Sequence, residues 1–278
     1  MLKITEPFLV FVRLDYAGVS AWSVKRTFLA GQAMFAWIMG LALILLMTTS
    51  ALAADSLTVA VAASFKRPFG EIARRFEAGH PIKVKATFAS TGTLHSQIVN
   101  GALYDIYLAA DEKRPQVLHE KGLAESPVIY ARGRVVLWTK RENLCRAGDW
   151  KSTLRDAGVR KVSIASPTIS PYGAAAESVL RKEDLWNVVK PRFVYAQDAG
   201  QAFQYVYTGA AAAGFCALSD AVSGVGREGC HFDVEEAPPV NQAACVLIRS
   251  KNREAARRFV EFLQSPAAEK IKGEYGYR

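Results

Sequence analysis

Residues 57–110 read LTVAVAASFKRPFGEIARRFEAGHPIKVKATFASTGTLHSQIVNGALYDIYLAA, and the changes of period along this stretch decide the fold. Leu57, Val59 and Val61 alternate, which predicts a strand over 57–61. Phe69, Ile72, Ala73 and Phe76 then recur at helical spacing. After Pro81, Ile82, Val84, Ala86 and Phe88 alternate again and predict a second strand over 82–88. Ser90-Thr91-Gly92 interrupts it, a helix continues through Leu94, Ile98 and Val99, and Gly101 ends the helix. Residues 105–110 make a third strand. Strands separated by helices of this length indicate α/β layers.

Downstream the alternation persists. A brief helix over 115–120 ends at Gly122, and residues 130–138, YARGRVVLW, are expected as one longer strand. Further strands are predicted at 162–165, 193–195, 214–218 and 244–248, with helices after Gly173, after Asp198 and over 255–263. The Gly- and Pro-containing stretch 223–240 is expected as loop. Two strand–helix series joined near 130–138 and again near 240 suggest two α/β lobes with a ligand cleft between them. The expected division is 54–135 plus 241–278 for lobe 1 and 136–240 for lobe 2.

Upstream, residues 33–48, AMFAWIMGLALILLMT, form a charge-free apolar run behind Lys25 and Arg26, followed by Ala51-Leu52-Ala53. A basic region, an apolar core and an A-x-A-like site predict an export signal over 1–53 with Ala54 as the first mature residue. The stretch before Lys25 is unusually long for a signal. The alternative is a membrane anchor, since the run approaches the roughly 17 residues needed to span.

The 278-residue chain carries a formal net charge of +9. Removing the four basic and two acidic residues of 1–53 leaves 31 basic and 24 acidic residues, net +7 over 225 residues. A basic exported chain is attractive to anions. Its basic residues are scattered among Asp and Glu without interleaved aromatics, so no nucleic acid is expected. Cys145, Cys216, Cys230 and Cys245 contain no C-x-x-C, and no His stands at finger spacing, so zinc is disfavoured. Full pairing would allow three connectivities. Cys216, in the apolar GFCAL, also reads as a buried small hydrophobe.

Four strand-to-helix junctions offer an anion site: Ala62-Ala63-Ser64, Ser90-Thr91-Gly92-Thr93, Pro171-Tyr172-Gly173 and Asp198-Ala199-Gly200. Ligands gather outside the carboxyl ends of strands in such sheets. Free N–H groups at helix starts favour negative charge there. Ser64, Thr91 and Thr93 add hydroxyl donors, and Gly92 and Gly173 permit close backbone approach. Each junction also reads as an ordinary helix cap.

The stretches VAVAASF (59–65), FASTGTLHSQIVNGALYDIYLAADE (88–112), RGRVVLW (132–138), ASPTISPYG (165–173), AQDAGQAF (196–203) and GFCALSDAV (214–222) occur in one order. As a set they resemble the periplasmic molybdate-binding proteins of ATP-driven transporters, a family of extracytoplasmic solute-binding proteins. The resemblance runs from about residue 56 to 278. It implies a two-lobed periplasmic-binding-protein fold and a dehydrated tetrahedral oxyanion, molybdate or tungstate, held in the cleft. It also implies periplasmic location and a membrane permease of an ABC transporter as partner, with no cofactor and no directly bound metal. A monomer is expected.

Position by position, the resemblance places the first-loop hydroxyl on Ser64, beside Ala63. The second-loop hydroxyl falls on Thr91, the third contact on Tyr172 and the fourth, largely a backbone N–H, on Ala199. Some members add a tyrosine hydroxyl where this chain has Ala217. Neutral donors suit a fully ionised oxyanion, because a buried anion needs its hydrogen bonds supplied in full. A protonated phosphate would want an acceptor. Asp105 and Asp111 lie near strand ends, but are expected to cap helices or form ion pairs.

The alternatives are a receptor for sulfate or another tetrahedral oxyanion, and, in a different class, a secreted hydrolase using Ser64 and His95. The hydrolase has little support, and no catalytic residues are assigned. Ser64 is outside any G-x-S-x-G, and no acid-backed triad order exists for His80, His95, His119 or His231. His95 is expected to be solvated or locally bonded. The charged segment Lys251–Arg258 is expected as a solvated face, with permease docking as the alternative role.

Overall fold

The computed structural model describes residues 55–278; the expected export signal and Ala54 lie outside the described residues. The quoted stretch forms β1 (Asp55–Ala62), a single 3-10 turn (Ala63–Phe65), α1 (Lys66–Gly79), β2 (Ile82–Ala89), α2 (Thr91–Val99) and β3 (Ile106–Leu108). β1 pairs in parallel with both neighbours, Val59 standing opposite Ala86 on one side and Ile106 on the other. After α3 (Lys113–Glu120), β4 (Val128–Gly133) closes the edge through β10 (Val240–Val246), and the sheet order is β2-β1-β3-β10-β4. α1 buries Phe69, Ile72 and Phe76, the residues whose spacing announced it. Phe76 meets Phe259 of α9 (Arg253–Phe262) edge-on, with ring centroids 5.0 Å apart. Burying each such ring stabilises the layer by about 1.5–3 kcal/mol.

The second sheet has the order β7-β6-β8-β5-β9, built from β5 (Val135–Thr139), β6 (Val162–Ala165), β7 (Phe193–Ala196), β8 (Ala213–Ala217) and β9 (Cys230–Asp233). Its helices are α4 (Trp150–Arg155), α5 (Pro171–Lys182), α6 (Trp186–Val189), α7 (Ala199–Tyr207) and α8 (Leu218–Ala221). The chain then returns through β10 to α9 and α10 (Pro266–Glu274), which pack on the first sheet through Phe259, Leu263, Ala268 and Tyr277. The molecule is a two-lobed α/β fold.

Three expectations are corrected. The single strand expected over 130–138 is two strands in different sheets, split at Arg134. Val135 pairs with Ala217 in the second sheet and Val240 with Gly133 in the first. Extended residues on both sides of Arg134 hid the break, because only long-range pairing separates them. The expected loop 223–240 contains β9, an edge strand pairing with β5 whose residues alternate half-buried and exposed. At four residues, among Gly224, Gly226, Gly229, Pro238 and Pro239, it is too short to stand out from a loop. The helix α10 was not expected, although Ser265 caps it by accepting the Ala268 N–H at 3.3 Å and Pro266 occupies its first position.

Cys145 and Cys230 form a disulfide that ties β9 to the segment after β5, while Cys216 and Cys245 are free and buried. Full pairing of the four is therefore not what the chain does. Cys216 packs with Trp138 and Phe203 as a small hydrophobe. Among the described residues, no helix is long and apolar enough to cross a membrane, and no group of three His, Cys, Asp or Glu is placed to hold a metal.

Candidate functional site

The lobes meet along the carboxyl ends of β1, β2 and β6, where three of the four junctions start. In the first junction Ala62 turns the chain from β1 into the 3-10 turn without a side-chain cap. Ala63 is half-buried and Ser64 is 3% exposed. The Ser64 Oγ is fully buried with no hydrogen-bond partner among the described residues. An unsatisfied buried hydroxyl costs roughly 1–3 kcal/mol, so a fold that retains one has it aimed at a ligand or water.

In the second junction Ser90 caps α2, accepting the Thr93 N–H at 3.1 Å, and its Oγ lies 2.7 Å from Thr93 Oγ1. Thr93 is thereby tied to the cap through both its N–H and its hydroxyl. Thr91, 1% exposed, accepts the Ala110 N–H on Oγ1 at 3.0 Å. That bond occupies a lone pair and leaves the Thr91 hydroxyl proton to donate elsewhere. The Gly92 N–H donates across the lobes to the Ile169 carbonyl at 2.8 Å.

The third and fourth junctions contribute backbone. Ser170 faces the Gly173 N–H at 3.5 Å and Pro171 starts α5, so the Tyr172 N–H lies in a first turn with no intrahelical acceptor. The Tyr172 hydroxyl is used elsewhere: it accepts from Gln242 Nε2 at 3.1 Å. Asp198 caps α7 through the Gln201 N–H at 2.9 Å, leaving the Ala199 N–H in the same orphan position. The close approach at Gly92 and Gly173 is to protein backbone. A Cβ on Gly92 would stand 2.9 Å from Ile169 Cα, and one on Gly173 2.1 Å from the Ala165 carbonyl oxygen.

These junctions are brought together. Ala62, Ala110, Tyr172, Ala199 and Ala217 belong to one continuous buried cluster that crosses the lobes. A Cβ on Gly200 would lie 3.9 Å from the Ala63 carbonyl oxygen, so the start of α7 sits against the first junction. Ala110 joins Thr91 to the same cluster by its N–H. Further contacts close the lobes: Arg114 Nη2 donates to the Thr168 carbonyl at 3.0 Å, and Ser219 Oγ to the Ser64 carbonyl at 2.9 Å.

The expected acceptors and the histidine are engaged differently. Asp105 accepts from the Thr58 N–H at 2.7 Å and the Ser250 hydroxyl at 2.6 Å, so it buttresses β1. Asp111 caps the Arg114 N–H at 3.0 Å and pairs with its guanidinium. His95 is half-buried, with a buried Nδ1 that has no partner among the described residues. Burial, then the Arg114 charge, hold its imidazole below the usual value. Because Ser64 Oγ has no partner, no imidazole activates it as a nucleophile would require. Arg257 of the charged segment Lys251–Arg258 pairs with Glu125 at 2.7 Å.

Sequence reasoning missed Asp220, in α8. Its carboxylate is buried, one oxygen has no partner, and the other lies 3.6 Å from Arg67 Nε across the lobes. Burial pushes the acid up to about 7, against the opposing Arg67 and Lys66 charges and with added repulsion from Asp198. The folded value lies above the unfolded one, so the stability tied to the neutral acid is full below about pH 4 and lost as pH rises through about 7. Asp220→Asn should therefore raise the melting temperature at pH 8, with the gain shrinking toward pH 4. Thermal unfolding from pH 4 to 8 checks this, and a variant less stable than wild type at pH 8 would refute it.

Hydroxyls and first-turn N–H groups gathered where two α/β lobes meet are donors of the kind that suits an anion. The family model for bacterial extracellular solute-binding proteins matches residues 57–278, and the chain belongs to that family, one of binding proteins without enzymatic activity. It is 37% identical over 229 residues to the molybdate-binding protein ModA of Azotobacter vinelandii, covering 81% of this chain and 90% of the relative. It is 33% identical over 256 residues to the ModA of Rhodobacter capsulatus, covering 91% and 97%. The solved periplasmic molybdate-binding protein of Azotobacter vinelandii superposes with a TM-score of 0.76 at 30% identity, covering 80% of this chain and 98% of that one.

Proposed function

We propose that the protein binds molybdate in the periplasm and delivers it to the membrane permease of an ABC transporter. The observation that carries this reading is the buried, unpartnered Ser64 hydroxyl; its neighbour Ala62 shares one buried cluster with Ala110, Tyr172 and Ala199, which supports a common site with Thr91 and the first turns of α5 and α7. Ser64 and Thr91 donate hydroxyls to the oxyanion, with Ala63 beside them, and Tyr172 and Ala199 donate backbone N–H groups. Hydrogen bonds to a charged group contribute roughly 1.5–3 kcal/mol each, and together they replace the hydration lost on burial. Lobe 1 is 54–135 plus 241–278 to within a residue, lobe 2 is 136–240, and closure shuts the cleft. The protein works as a monomer, and residues 1–53 are removed on export.

Tungstate, of like charge and shape, binds comparably. Phosphate carrying a proton needs an acceptor, and Asp105 and Asp111 are engaged elsewhere. The unmet bond leaves phosphate roughly 1.5–3 kcal/mol short, about ten- to a hundredfold in affinity. Sulfate binds more weakly than molybdate through its smaller size. Calorimetric titration of the four anions at matched ionic strength tests this, alongside thermal shift, since a ligand of the folded state raises apparent stability with concentration. Sulfate binding as tightly as molybdate would make the protein a general oxyanion receptor.

A further inference from the structure

Behind Ser64 lies a buried polar junction that the anion site does not use. In an α-helix the Ser64 carbonyl would accept an N–H from residue 68, but residue 68 is Pro and has none. Two distant hydroxyls take its place. Tyr277 Oη donates to the Ser64 carbonyl at 2.7 Å and Ser219 Oγ donates to the same oxygen at 2.9 Å; the two hydroxyl oxygens are 3.2 Å apart. Tyr277 is held on two sides. Its ring stands edge-on to Phe65 at 5.2 Å, and Arg278 pairs through its backbone with Arg132 of β4 at 2.7 and 3.1 Å. The Tyr172 hydroxyl and the Gln242 amide flank it, and Gln242 Oε1 accepts from Tyr130 at 2.8 Å. Burial pushes the Tyr277 phenol up to about 12, so it stays a donor at every physiological pH.

The junction has two parts with different origins. Ser64, Gln242 and Tyr277 come from lobe 1, and Tyr172 and Ser219 from lobe 2. The Tyr277 bond therefore lies within one lobe, while the Ser219 bond crosses between the two. Both act on one peptide, whose position sets the direction of the Ser64 side chain.

We infer that Tyr277 is a positioning residue for the oxyanion site, fixing the Ser64 peptide so that its hydroxyl is preorganised, and that Ser219 locks the same carbonyl when the lobes close. This rests on the molybdate reading above. A preorganised donor spends no binding free energy on ordering, so its loss appears chiefly as faster release.

The test is Tyr277→Phe, which removes one oxygen and keeps the ring against Phe65. Two readouts are taken: the molybdate dissociation rate by stopped flow, and hydrogen exchange at amides 63–66 in anion-free protein. The expected result is about tenfold faster release and at least tenfold faster exchange at 63–66, with exchange in α5 unchanged. Ser219→Ala should quicken release without altering exchange in the open protein. Tyr130→Phe, which removes a hydroxyl of the same network that does not touch Ser64, should leave the release rate at wild type. Unchanged release and unchanged exchange at 63–66 in Tyr277→Phe would overturn the inference, as would equal effects from Tyr130→Phe. If wild type binds no molybdate the functional reading fails, whereas exchange at 63–66 still decides the role of Tyr277.

Discussion

Ser64→Ala combined with Thr91→Ala should weaken molybdate binding by about a hundred- to ten-thousandfold. Each substitution leaves one oxygen of a buried dianion short of a donor, at roughly 1.5–3 kcal/mol per charge-assisted bond. The two are not equivalent for the fold. Ser64 Oγ makes no hydrogen bond within the described protein, so its removal relieves an unsatisfied group and should leave unfolding unchanged or slightly harder. Thr91 Oγ1 accepts the Ala110 N–H, so Thr91→Ala should also lower stability by about 0.5–1.5 kcal/mol. Thr91→Ser retains both bonds and should restore most of the affinity. Calorimetry for binding and denaturant unfolding for stability, on the same variants, separate the two effects. Unchanged affinity in the double variant would refute the assigned site.

Gly92→Val should abolish tight binding by a different route. The Gly92 N–H reaches the Ile169 carbonyl across the lobes, and even one added carbon would sit 2.9 Å from Ile169 Cα and 3.0 Å from its carbonyl oxygen. Those are backbone atoms that cannot swing aside. The clash is between lobes, so each lobe folds as before while full closure is denied. Loss of the Tyr172 and Ala199 N–H donors removes two charge-assisted bonds, again about a hundred- to ten-thousandfold in affinity. Small-angle scattering should show wild type compacting at saturating molybdate and Gly92→Val remaining extended. A variant that binds and compacts as wild type does would contradict the role given to this contact.

What could be read from the sequence follows from which interactions are local. β1 is buried on both faces, but its large residues Leu57, Val59 and Val61 share one of them while Ala60 and Ala62 take the other, so a period-2 alternation still announced a strand. α1 announced itself through Phe69, Ile72 and Phe76 for the same reason. The break at Arg134 was hidden, because strand residues lie on both sides of it and only long-range pairing assigns them to different sheets. β9 was hidden because it is only four residues long and lies in a stretch punctuated by Gly and Pro. Ser64 and Thr91 were legible as small polar residues between a strand and a helix, and the structure adds that one is unpartnered and the other keeps a free proton. Tyr172 was legible as a position, but the packing of its hydroxyl beside Gln242 and Tyr277 was not. Asp220, Ser219 and Tyr277 were not legible. Tyr277 meets Ser64 across 213 positions of sequence, and nothing local to either residue encodes the meeting except the missing N–H of Pro68.

The most direct test is an anomalous difference map at the molybdenum absorption edge from crystals grown with molybdate. The expected result is one strong peak between the lobes, within hydrogen-bond reach of Ser64 Oγ and Thr91 Oγ1 through its oxygens, with the Tyr172 and Ala199 N–H groups on the opposite side. A peak elsewhere on the protein, or an interlobe peak that touches neither hydroxyl, would contradict the account.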